Sequence, residues 1–544
     1  MRMSIRQQSA VCLLLAFAAC NAMHDPDYVR CRDAVLESVW QSDFERGIRR
    51  CDEAIGARQN AEDIEERDQK DTTLDPTLLA FDSAMLHLMN GEADRAYATI
   101  EGQGRVLWER ALERGAKDLQ IFNFQYGLDE VWQYATDEWA LPYDGLDYEH
   151  AMHRVVSFAL NLATEQRYNV FPLAQQAQEV NAHFAARYAA APGASTVVAD
   201  ATATAEGPAM LGMTGAGLAL AGLAHESLYA TEAEHALEAY RNADAVEGGA
   251  NEFVRAQIER LEEALQQGDF DGQEGFVWCV LFAGLGPSRV AVQDDELRKQ
   301  QWVVDLVLNF VSQLFRDKET PAWARAIVPT LNVRMPSLAR HMSDFDEIEV
   351  SLAGGPWQSV PVAFDFEALA MRNFERIRST IAARTIIRRT AKKIAAKVGS
   401  TVASKELVKE PGFWQTLVDS FGSAVGSVWS ESEVPDLRNW TLMPARLHIL
   451  RLPVAQGRNI EVRVRAKANG AVIEGSERAL PVEVWRQEST FVVGHLPEAT
   501  TRTKLMTSRH VDELRELPPE RLAHYERPES QPASGSSASP TGTR

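Results

Sequence analysis

Positive charge is what this chain is short of. Lysine and arginine number 56 against 77 aspartates and glutamates, a formal net charge of −21. Nucleic-acid binding needs a basic face, so a nucleic-acid partner is argued against. Long apolar runs are missing too. The longest near the N-terminus, Val11 to Phe17, is far too short to span a bilayer. The uncharged stretch Pro208 to Ala224 is full of glycine and alanine, and reads as a loop entering a buried helix. Catalytic signatures are also absent. There is no Walker A loop, no G-x-S-x-G elbow and no H-E-x-x-H. Gly212, Gly215 and Gly217 lack the spacing of a dinucleotide fingerprint. Glu149, His150 and His153 would set two imidazoles on one helix face, but no third ligand is near in sequence, so packing or surface histidines are the default. Trp132, Trp139, Trp440 and Trp485 are candidates for glycan stacking, with core packing their ordinary role. We therefore assign no catalytic residue, no cofactor-binding residue and no metal ligand.

What is there begins with an address. Arg2 and Arg6, then the apolar run, then small residues, make residues 1–19 a secretory signal. Ala16-Phe17-Ala18 would serve as a simple cleavage site. Phe17-Ala18-Ala19-Cys20 resembles the bacterial lipoprotein box, in which the cysteine is acylated and becomes the new N-terminus. That resemblance implies palmitate on Cys20 and a membrane anchor. By likeness to known sorting rules, Asn21 favours the periplasmic face of the outer membrane. Export leaves Cys31 and Cys51 either as a disulfide across a helix pair or as two small buried residues. Cys279 lies in an apolar strand.

From Tyr28 to Gln267 the pattern is helix after helix. Leu220, Leu223, Ala224, Ala236, Tyr240 and Ala243 have the spacing of a tetratricopeptide repeat, two antiparallel helices with small residues where they cross. Weaker copies run through Ala84, Gly91, Ala96 and Ile100, and through Gly47, Cys51 and Ala54. Tyr148 to Ala163 with Phe171 to Val180 reads as another pair. The expectation for 20–267 is a tetratricopeptide-like solenoid with a concave protein-binding surface. Ala191 to Pro208 reads as a mobile loop, and Gly268 to Glu274 as an acidic turn.

Gly275 to Val292, GFVWCVLFAGLGPSRVAV, is the seam. Its pattern predicts a buried strand, a tight turn and a second strand, joined as a hairpin. Neither alternate set of its side chains is polar. One set should pack on the last repeat helix around Leu261 and Leu265, the other on the C-terminal strands and a long helix. Beyond it, 275–500 reads as a smaller mixed α/β region with antiparallel strands. Gln301 to Phe315 is a helix, Ala326 to Arg334 and Glu347 to Ala353 are strands, and Pro356 to Val362 is a strand or turn. Phe366 to Val398 is a long helix whose Arg372 to Lys397 span is densely basic. Phe374, Ile377 and Ile381 fall out of phase with Ile387, Ala391, Ile394 and Val398, so this helix bends near Ala383 or meets different partners along its length. Its basic side chains face anionic lipid or glycan, or pair with the acidic remainder of the chain. Glu410 to Val428 is a further helix. LHILRL and NIEVRVRA form a β pair, in which Ile460, Val462 and Val464 alternate with Glu461, Arg463 and Arg465. Short strands at Val472, Val482 to Trp485 and Phe491 to Val493 complete a small sheet or sandwich, and 515–544 is a disordered tail. The class is α+β.

Four pieces carry a family resemblance: the Cys20 box; Tyr148-Glu149 opening a helix; GFVWCVLFAGLGPSRV; and ARTIIRR…AKK with DLRNWTLMPARLHILRLPVAQG. Together they resemble a poorly characterised family of tetratricopeptide-like bacterial lipoproteins with no established reaction. The family's genes lie near lipoproteins that activate penicillin-binding proteins. The resemblance implies a lipid-anchored envelope scaffold or adaptor with a protein partner, linked to peptidoglycan assembly. The alternative is a glycan-binding module or envelope hydrolase acting through the C-terminal half.

Overall fold

The computed structural model describes residues 26–59, 76–102, 104–106, 143, 145–164, 172–173, 175–176, 179, 213–228, 232–267, 275–294, 300–315, 334–401, 436–454, 458–484 and 489–507. The signal and Cys20, the 191–208 loop, the acidic turn 268–274, the helix at 410–428 and the tail lie outside them, as does the strand expected at 326–334 except for Arg334, which opens a strand running to Ala339.

The described chain is α+β, helices first and strands later. Its helices are α1 (Pro26–Trp40), α2 (Phe44–Gln59), α3 (Pro76–Met89), α4 (Asp147–Ala163), α5 (Met213–Leu228), α6 (Ala233–Val246) and α7 (Glu252–Gln267). Then come β1 (Gly275–Leu285), β2 (Ser288–Gln293), α8 (Gln301–Phe315), β3 (Arg334–Ala339), β4 (Glu347–Leu352), β5 (Gln358–Ser359), β6 (Val362–Asp365) and α9 (Phe366–Thr401). Strands β7 (Pro444–Val454), β8 (Arg458–Ala468), β9 (Ala471–Val472), β10 (Arg478–Val484) and β11 (Ser489–Leu496) follow. Proline opens α1 and α3, where its missing N–H has no helical partner to lose.

All eleven residues of β1 are buried. It lies inside a sheet of order β11-β1-β7-β6, parallel to β11 and antiparallel to β7. Its two faces serve two cores. Trp278, Val280 and Phe282 join one built with α3 to α7, Leu261 included. Val277, Cys279, Leu281 and Ala283 join the other, with Ile348, Val350, Ile460, Val462, Val464 and Val482. Those last residues belong to a second sheet, β10-β8-β4-β5, with β9 on the edge of β8. The result is three layers: helices, the β1 sheet, and the second sheet.

Three expectations need correcting. β1 and β2 form no hairpin; β2 pairs antiparallel with β3. A strand that is apolar on both faces needs strands on both edges, and β7 and β11 take them. Gly284, at φ +67°, and Gly286, where a Cβ would meet the Met443 carbonyl oxygen at 3.0 Å, turn the chain out of the sheet. Nor do β7 and β8 pair. β7 buries Leu447 and Ile449 on one side and His448 and Leu452 on the other, so it belongs beside β1. β8 alternates buried Ile460, Val462 and Val464 with part-exposed Glu461, Arg463 and Arg465, so it suits the sheet with a solvent face. Finally, Phe366, Leu369, Ala370 and Phe374 place α9 in the helical core, not in the core between the sheets. Its Arg378 pairs with Asp294 at 3.1 Å and with Glu375 at 3.2 Å, the self-pairing option.

Within the helical layer α1 packs on α2, α2 on α3, and α5 on α6. Leu220, Leu223, Ala224, Ala236, Tyr240 and Ala243 are all buried, on two helices whose crossing packs one against the other. A Cβ on Gly222 would sit 3.0 Å from the Tyr240 ring. Ala84, Ala96, Ile100 and Cys51 are buried as well. No disulfide joins Cys31 to Cys51.

Ala236 has no exposed surface in that crossing. Ala236→Leu should overpack it and destabilise the protein by about 1–3 kcal/mol. Chemical denaturation should show the loss as a lower midpoint; an unchanged midpoint would place the crossing elsewhere.

Candidate functional site

A group of buried charges lies where the helices meet the segment leading into β7. That segment, DLRNWTLM, has no strand partner before Pro444, so its backbone N–H groups need acceptors from elsewhere. Two helix carboxylates supply them. Glu149, in the first turn of α4, accepts the Trp440 N–H at Oε1 (2.9 Å). Its Oε2 accepts the Leu146 N–H (2.7 Å), closing the helix start, and also the Tyr143 hydroxyl. Asp82, in the middle of α3, accepts the Leu442 N–H at 2.9 Å.

Arginines complete the junction. Arg438 grips Asp436 with two hydrogen bonds, Nε to Oδ1 and Nη2 to Oδ2, each 3.0 Å. Arg289, just past the β1 turn, donates its N–H to Asn439 Oδ1 at 3.3 Å. The Arg289 and Arg438 guanidinium carbons lie 5.7 Å and 5.5 Å from the Tyr143 ring centre. Trp440 packs its ring against Phe81, with centroids 4.9 Å apart. Exposure is 1% for Glu149, 2% for Asp82 and Arg438, and 7% for Arg289, so water scarcely reaches the cluster.

Burial sets the protonation. It raises the Glu149 carboxyl, against the pull of Arg289 and its hydrogen bonds. It pushes Asp82 up to about 7, against the Leu442 N–H. Asp436 goes the other way: burial would raise it, but the Arg438 guanidinium outweighs that and holds it below the ordinary range. These groups recognise backbone and one another. The hydroxyl–carboxylate pair among them, Tyr143 with Glu149, is buried away from solvent.

Glu149, His150 and His153 do not converge on one point. His153 donates its Nε2 proton to the Ile100 carbonyl (3.1 Å), stacks on Phe81, and is held well below its ordinary value by burial. Trp440 is core; Trp132, Trp139 and Trp485 lie outside the described residues. A different set does converge, His225, Glu232 and His235, from the end of α5 and the start of α6. Sequence reading passed over it, although H-x6-E-x2-H across a predicted helix turn was a visible signal. The Asp82 role had no signal, because nothing in a sequence marks which buried helix meets a loop 360 residues away. Among the described residues no helix is long and apolar enough to cross a membrane.

Because the folded Asp82 carboxyl holds its proton to about pH 7 while the unfolded chain releases it near 3.8, its contribution to stability is full below about pH 4. That contribution is lost as pH rises towards 7, at up to about 1.4 kcal/mol per pH unit. Denaturation midpoints measured from pH 4.5 to 7.5 should therefore fall less steeply in Asp82→Asn than in wild type. Parallel slopes would mean that Asp82 titrates normally.

Compared with known proteins, the chain matches no family model, no curated sequence and no solved structure.

Proposed function

We propose that the chain is a lipid-anchored scaffold or adaptor of the bacterial cell envelope. In this reading an acylated Cys20 holds it at the periplasmic face of the outer membrane, and its helical pairs bind a protein partner. The carrying observation is that the buried cluster of ionisable groups is sealed and committed to the chain itself: Glu149 holds the Trp440 N–H, Asp82 holds the Leu442 N–H, and Arg438 holds the Asp436 carboxylate. Such a cluster fixes shape, and a substrate would have no access to it. We take α1/α2 and α5/α6 as tetratricopeptide-like units, since their crossings use the repeat's small residues. The Phe17-Ala18-Ala19-Cys20 box supports the anchor, and the family likeness supports a link to peptidoglycan assembly.

A second reading, a glycan-binding module in the C-terminal half, draws on Trp357. This half-buried ring lies 3.9 Å from the Arg465 guanidinium and 5.6 Å from that of Arg463, on the side of β8 away from the core.

Wild-type protein grown with labelled palmitate should take up label, and Cys20→Ala should not. A wild type without label would overturn the anchor. Co-sedimentation with purified peptidoglycan, lost in Trp357→Ala, would replace the adaptor reading with the second.

A further inference from the structure

The end of α5 and the start of α6 bring together three side chains that the buried junction does not use. His225 stands in the last turn of α5, Glu232 is the residue before α6, and His235 is in the first turn of α6. Glu232 and His235 are three residues apart, the spacing that sets two side chains on one side of a helix start. His225 Nδ1 and Glu232 Oε2 are 2.8 Å apart, so this pair already faces each other. The two imidazole rings lie with centroids 5.6 Å apart, tilted by 32°. One ligand-type atom from each residue falls within 4.8 Å of the other two.

We propose that His225, Glu232 and His235 bind a divalent transition-metal ion of the zinc type. Two imidazoles and one carboxylate are a donor set that zinc favours. Bonds of about 2.0–2.1 Å in tetrahedral geometry place neighbouring donors about 3.4 Å apart. The present spread of up to 4.8 Å therefore closes by about 1.4 Å or less, within reach of side-chain rotation. His235 is exposed and free to turn, while His225 and Glu232 are half-buried and hold the fixed side.

The two helices beneath are packed against each other. Leu223, Ala224, Ala233 and Ala236 are buried directly under the three side chains' own helical turns, and Gly222 packs on the Tyr240 ring. The neighbouring cations have another partner. Glu226 holds Arg260 at 2.6 Å and Arg451 at 3.4 Å. Three protein ligands at the surface leave a fourth position for water or for a group from a partner. A bound ion would tie the end of α5 to the start of α6, fastening the clearest helical pair in the chain.

Zinc chloride alone, titrated calorimetrically into the untagged full chain at neutral pH, tests the site. Wild type should bind one equivalent, and its melting temperature should rise with zinc. His235→Ala changes only an exposed side chain, and Glu232→Gln keeps shape while removing charge. Each should weaken zinc at least about tenfold and lose the thermal shift. Cobalt(II) in place of zinc should give the intense visible bands of a tetrahedral centre in wild type and not in His235→Ala. A wild type that binds no zinc at micromolar concentration, or a His235→Ala variant that binds it unchanged, overturns the proposal.

Discussion

A strand without a polar face cannot sit at a surface, and β1 is such a strand along its whole length. Eleven consecutive buried residues require hydrogen-bonded neighbours on both edges and apolar layers on both faces. The edges are met by β11 and β7, which come from the far end of the sequence. The faces are met by the helices on one side and the β4–β8–β10 sheet on the other. Those contacts are long-range, and the face formed by Trp278, Val280 and Phe282 is covered only when the helical half packs on it. The helical layer and the sandwich are therefore parts of one body around β1.

Closing that body creates a second problem. The chain must enter β7 from the helical side, and the segment before it has backbone donors with no ladder to join. An unpaired buried N–H costs roughly 1–3 kcal/mol, so acceptors are needed at defined places. Glu149 and Asp82 provide them from two different helices, with burial shifting both carboxyls upward. Arg289 joins the same junction from the turn that ends β1. One device thus holds α3, α4, the β1 turn and the β7 entry in register. The C-terminal segment adds a further tie, Lys504 N–H to the Met89 carbonyl at 2.8 Å.

Local pattern made much of this legible. Gln301–Phe315 and Glu347–Leu352 emerge at or within a residue of the expected bounds, and α9 runs only three residues past Val398. The two-faced character of β1 was readable from its unbroken apolar run, as was the alternation of β8. Pairing was less legible, because sequence neighbours were taken as spatial neighbours. β1 with β2, and β7 with β8, looked like hairpins. The clue lay in burial: β7 buries residues on both faces, which suits a place beside β1, whereas β8 alternates buried and part-exposed residues, which suits a sheet with one solvent face. Of the buried junction, Arg438 stood out only as a member of a motif, and Trp440 as that and as a candidate for glycan stacking. Asp82 looked like one more helical acid, since its role depends on a contact that only the fold creates. The His225, Glu232 and His235 group was readable but masked by the stronger repeat pattern on the same helices.

The claim that β1 fuses both layers into one cooperative body is tested most directly by native-state hydrogen exchange with mass spectrometry at increasing denaturant. Peptides from α4, β1 and β8 should converge on one opening free energy and one denaturant dependence, because exposing any of them exposes both cores. Helical peptides that open at a clearly lower free energy and shallower dependence, while β1 and β8 stay protected, would contradict it.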